Sequence, residues 1–69
     1  MAIQKHVGKK IARLRRQKGI SQEELGFDSG FHRTYISQVE RGVTNPTIGS
    51  LKQIANALSV PCWKLVEPH

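Results

Sequence analysis

The sequence predicts an all-α fold, a compact bundle of five short helices. Three observations carry that prediction. Apolar residues recur at spacings of three and four in one segment after another. Gly19, Gly30, Gly42, the pair Asn45-Pro46 and Pro61 fall between those segments, where helix-breaking residues belong. No stretch shows sustained period-two alternation, and no Asn-Gly or similar turn pair joins β-branched runs. At 69 residues the chain has room for one domain, residues 1–69, and one small core.

The first helix is expected over about residues 2–18. Ile3, Val7, Ile11 and Leu14 are spaced 4, 4 and 3 and form one apolar stripe, with Lys and Arg on the remaining faces. Gly19 follows where a C-cap glycine sits. The second helix opens at Ser21-Gln22-Glu23-Glu24, a capping box in which Ser21 and Glu24 each satisfy a free backbone N–H of the first turn. Leu25 points inward, and the helix ends by Gly30. The third runs over about 32–41, with Phe31 leading in, Ile36 and Val39 facing the core, and Gly42 ending it. Thr47 is a good N-cap for the fourth, whose stripe is Ile48, Leu51, Ile54, Ala55 and Leu58. A short fifth helix follows Pro61 and uses Trp63, Leu65 and Val66.

Composition narrows the class of function. Eleven Lys and Arg stand against five Asp and Glu, a net charge of +6, and the pI is about 10.1. A domain pI above ~9 marks a binder of polyanions. Lys5, Lys9, Lys10, Arg13, Arg15, Arg16 and Lys18 fall within the first 18 residues, which hold no acid. Charge alone leaves nucleic acid, an anionic membrane surface and an acidic protein as partners. No apolar run approaches the ~20 residues of a membrane span, and basic residues interrupt any secretory signal. Cys62 is the one cysteine, so no internal disulfide forms, and His6, His32 and His69 are too scattered to be a metal site. A single thiol fits a reducing compartment, so the expected location is the cytoplasm, on the nucleoid when bound to DNA. No spacing resembles a nucleophile elbow, a metal-ligand set or a phosphate-binding glycine loop, so no enzyme activity and no cofactor are expected.

Residues 22–41 place two short helices around a tight turn at Gly30, with Leu25, Phe31, Ile36 and Val39 as the apolar positions and Gly26 permitting close approach. This is the layout of a helix-turn-helix, whose second helix enters the DNA major groove.

The stretch Ser21-Gln22-Glu23-Glu24-Leu25, then Gly30, then Thr34 to Gly42, then Asn45-Pro46-Thr47, resembles the lambda-repressor-like (Cro and XRE) helix-turn-helix domain. The likeness continues through Leu51, Ile54, Ala55 and Leu58 and back to Gly8, Ile11, Leu14 and Arg15, covering about residues 7–66. The run His32-Arg33-Thr34-Tyr35-Ile36-Ser37 is also similar to the recognition helix of controller proteins of restriction–modification systems. The resemblance implies that Arg33, Thr34, Ser37 and Gln38 reach base edges. Arg33 suits guanine O6 and N7, and Gln38 suits adenine N6 and N7. It implies backbone contacts from Gln22, Tyr35, Arg41 and Asn45, and a structural ion pair between Arg15 and Glu40. Four features depart from the family pattern. Gly26 replaces the usual alanine, at an expected ~0.5–1 kcal/mol. Ser29 stands at an often apolar position, Phe27 at a usually exposed one, and the Val43-Thr44 loop lacks a basic residue.

One recognition helix reads only a few base pairs, so specific binding predicts a homodimer on a pseudo-palindrome. Val60, Trp63, Leu65 and Val66 exceed what a small core needs and are expected at the dimer interface. No small-molecule ligand is expected; regulation would follow concentration and dimerisation. Two other classes stay open: an antitoxin-like protein-interaction module on the same fold, and a non-specific basic binder.

Overall fold

The computed structural model describes residues 3–67. Its five helices are α1 (Ile3–Lys18), α2 (Gln22–Ser29), α3 (Arg33–Arg41), α4 (Ile48–Ala57) and α5 (Trp63–Val66), and no strand occurs among the described residues. Ala2, expected to begin the first helix, lies outside the described residues.

The ends of the elements follow local chemistry. Ser21 Oγ accepts the Glu24 N–H at 3.0 Å, and Glu24 Oε1 accepts the Ser21 N–H at 2.9 Å, completing the capping box of α2. At the other end Gly30 is left-handed (φ 86°), which lets the Phe31 N–H reach back to the Gly26 carbonyl at 2.8 Å. Thr47 Oγ1 caps α4 through the Ser50 N–H at 3.0 Å.

All five helices contribute to one core. Ile11 from α1, Leu25 from α2, Ile36 and Val39 from α3, Ile54 from α4 and Leu65 from α5 are essentially excluded from solvent. Burying each such side chain is worth about 1.5–3 kcal/mol, so no helix detaches without opening the core. The helix pairs α1–α3, α2–α3, α2–α4, α1–α5 and α4–α5 are in contact. The backbones of α1 and α3 meet at Gly8: a Cβ there would overlap the Val39 carbonyl oxygen and lie 2.6 Å from that of Glu40.

Two expectations are corrected. Leu65 does not belong to an exposed dimer surface; it is fully buried in the core of the single chain. Ile3 and Ile48 leave their apolar stripes for solvent, at 64% and 72% exposure. Each is the first residue of its helix. Ser29, at an apolar position, is buried but satisfied within α2, since its Oγ donates to the Leu25 carbonyl at 2.7 Å.

Helix α5 is tied down beyond its last turn. The His6 Nε2–H donates to the Glu67 carbonyl at 2.8 Å, and the Glu67 carboxylate lies 3.3 Å from Lys64 and 3.7 Å from the nearly buried Lys10.

Candidate nucleic-acid interface

Helix α3 is amphipathic in a way that sorts its residues by role. Ile36 and Val39 are buried in the core. At about 100° per residue, Arg33, Thr34, Ser37, Gln38 and Arg41 fall within one arc of roughly 140° on the opposite side. Arg33, Thr34 and Arg41 are exposed, and Ser37 and Gln38 half-buried. The helix starts at His32, whose Nδ1 accepts the Thr34 N–H at 3.0 Å. His32 thereby fixes the first turn of α3. Arg33 Nη1 lies 3.9 Å from the Glu23 carboxylate of α2, with both side chains mostly in solvent. Such a pair is weak and leaves the guanidinium reachable.

The outward arc is held in place by a part-buried polar clamp. Glu40 accepts from Arg15 Nε at 2.7 Å and from Arg15 Nη2 at 3.1 Å, a two-point fork between α3 and α1. Arg15 Nη1 also donates to the Ile20 carbonyl at 3.0 Å. Gln22 Nε2, at the start of α2, donates to the same Glu40 carboxylate at 3.0 Å. Three helices therefore meet on one carboxylate. The side chains of the ion pair are only 12% and 5% exposed, so solvent screens it little. The hydrogen bond to Glu40 outweighs burial and holds the Arg15 guanidinium above its ordinary pKa, so it stays charged at any physiological pH.

The remaining site residues are placed as follows. Tyr35 is half-buried, with its ring 4.8 Å from that of Phe31, so the turn and α3 brace each other through this pair. Arg41 and Gln22 line one cleft together with Glu40, Lys9, Ala12, Arg13 and Arg16; the cleft measures 440 Å³. Asn45 is exposed and does not line that cleft. It lies at a smaller groove with Ile3, Gln4, Val7, Pro46, Leu51 and Val66. Of the residues expected to meet a second copy, Trp63 and Val66 are 60% and 43% exposed and Val60 is half-buried. The spacing of 4 and 3 places Lys9, Arg13 and Arg16 on one face of α1, but only the packing of α1 on α3 brings them beside Arg41.

An exposed arc of hydrogen-bond donors and acceptors on a rigidly held helix suits base edges in a major groove. Comparison with known proteins decides the family. The family model described as Helix-turn-helix matches residues 11–62, well over half of the chain. The chain belongs to the Cro/XRE-like helix-turn-helix family.

This helix-turn-helix protein is 48% identical over 68 residues to the uncharacterized HTH-type transcriptional regulator y4dJ of Sinorhizobium fredii, spanning 99% of this chain and 88% of the relative. It is 43% identical over 54 residues to control protein C.BamHI of Bacillus amyloliquefaciens, covering 77% of this chain and 67% of that one. Its fold matches the crystal structure of the restriction-modification controller protein C.AhdI from Aeromonas hydrophila with a TM-score of 0.88, at 37% identity and with 90% of each chain covered. It is a DNA-binding helix-turn-helix transcriptional regulator. The helix-turn-helix also has no helix, among its described residues, long and apolar enough to cross a membrane.

Proposed function

We propose that this protein is a sequence-specific regulator of the controller type that binds a pseudo-palindromic operator as a homodimer. The observation that carries the reading is the arc of Arg33, Thr34, Ser37, Gln38 and Arg41 on a helix fastened by Arg15, Glu40 and Gln22. Helix α3 lies in the major groove. Arg33, Thr34, Ser37 and Gln38 read base edges, and Gln22, Tyr35, Arg41 and Asn45 hold the backbone.

Size supports the dimer. The longest extent of the chain is 28 Å, whereas half-sites one helical turn apart are separated by about 34–36 Å, which favours a second copy as the source of the second recognition helix. The exposed Trp63 and Val66, with half-buried Val60, supply apolar surface for that contact. The relatives named control or controller proteins favour the same role.

The test is selection of bound sequences from random duplex DNA at about 0.15 M salt with excess competitor, where electrostatic background binding is weak. A two-fold symmetric consensus is expected. No enrichment would overturn the reading.

A further inference from the structure

The cations of α1 divide into two sets. Lys10, Arg15 and Lys18 are engaged within the fold: Lys10 beside Glu67, Arg15 on Glu40, and Lys18 donating to the Ala57 carbonyl at 2.9 Å and Ser59 Oγ at 3.2 Å. Lys9, Arg13 and Arg16 are exposed and form no ion pair among the described residues. At about 100° per residue the second set occupies an arc of roughly 60°. That arc forms one wall of the 440 Å³ cleft, and exposed Arg41, the last residue of α3, adds a fourth cation. The one carboxylate lining the cleft is Glu40, already bonded by Arg15 and Gln22. Four positive charges therefore line the cleft, whose one lining carboxylate is already paired with Arg15, beside the N-terminal end of α2, whose dipole also attracts anions.

We infer that this cleft is a second DNA contact, built from Lys9, Arg13 and Arg16 of α1 with Arg41, which takes backbone phosphates flanking the base pairs that α3 reads. It rests on the operator-binding reading above. Arg41 belongs to both the outward arc of α3 and the cleft, so a strand leaving the major groove at the end of α3 continues along α1. An isolated anion would gain little from exposed, solvated side chains in an open cleft, whereas a polyanion releases condensed counterions at each phosphate neutralised. Ala12 is the one apolar lining residue, so the cleft offers nothing to a bilayer interior.

The test measures operator affinity of the full chain against salt for the wild type, the double variant Arg13→Gln/Arg16→Gln, and Lys52→Gln, an exposed lysine of α4 outside the cleft. The slope of log K on log salt should shrink by about 1–2 in the double variant, since each phosphate contact contributes ~0.9. Between 50 and 200 mM salt the wild type then loses about 4- to 16-fold more affinity than the variant. The preferred sequence stays the same, Lys52→Gln changes little, and trimming the duplex flanks weakens the wild type but not the double variant. An unchanged slope, an equal effect from Lys52→Gln, or a changed base preference would overturn the inference. So would saturable binding of inorganic phosphate at Arg13 and Arg16 combined with indifference to flank length, which would assign the cleft to a free anion. If the wild type prefers no sequence, the operator reading fails; the slopes, measured on random duplex, still judge the cleft.

Discussion

The helix-turn-helix and the short helix α5 are held by different balances of polar bonds and burial. Around α2 and α3 each junction has its own polar fastening: the Ser21–Glu24 box, left-handed Gly30, the His32 cap and left-handed Gly42. Above these sits the Arg15–Glu40–Gln22 clamp. Helix α5, by contrast, has no side-chain cap and spans four residues; it stays in place through buried Leu65 and the contacts of Glu67. Directional bonds fix orientation, which reading bases demands, while burial fixes only position. The recognition half therefore carries the denser set of polar fastenings, while Trp63 and Val66 stay exposed.

Breaking the clamp tests this contrast most severely. Glu40→Ala leaves the nearly buried Arg15 without its partner and should cost about 3–5 kcal/mol of stability, read by urea denaturation. A loss below about 1 kcal/mol would mean that packing alone orients α3. Leu65→Ala comes next, at about 2–5 kcal/mol for removing a fully buried leucine. Trp63→Ala, two residues away, should barely change the stability of the single chain yet raise the dimer dissociation constant. Sedimentation at several concentrations separates the two; a Trp63→Ala chain that unfolds easily but dimerises normally would place the indole in the core.

These two halves were not equally legible in the sequence. Caps act over three or four residues, so Ser21 with Glu24, Gly30, Gly42 and Thr47 could be placed from neighbours alone, and the five helices followed. Periodicity fails at helix ends, as Ile3 and Ile48 show, because a stripe says nothing about where the neighbouring helix stops. It fails too in a single turn: Trp63, Leu65 and Val66 are too few to set the phase of a helix, so the pattern puts Leu65 on the surface with its neighbours although it is buried. The pairing of Arg15 with Glu40 came from family resemblance rather than from spacing. The cleft joining α1 to Arg41 and the approach of Glu23 to Arg33 depend on how helices pack, which no local pattern reports.

Within the recognition half, side chains that read and side chains that hold should also come apart. Arg33→Ala should weaken operator binding by about 1–3 kcal/mol and relax preference at one base position, because a bidentate arginine is lost. Gln22→Ala should weaken binding with the preferred site intact. The converse pattern, uniform weakening from Arg33→Ala and an altered site from Gln22→Ala, would exchange their roles.

The smallest effect concerns the acid nearest the reading face. Glu23 lies 3.9 Å from Arg33 with both side chains largely in solvent, a pair worth at most about 1 kcal/mol. Removing its charge should therefore leave stability within about 0.5 kcal/mol of the wild type. In DNA binding the sign reverses. The free protein spends part of Arg33 on Glu23, and the complex brings that carboxylate towards phosphates, so Glu23→Gln should strengthen operator binding, by less than about fivefold, and should reduce the dependence of preference on salt very little. Competition binding on the selected operator and on a variant changed at the Arg33 position measures both. If Glu23→Gln weakens binding instead, the carboxylate acts by aiming Arg33 at its base, and the pair belongs with the directional fastenings of this half rather than with its solvent-exposed charges.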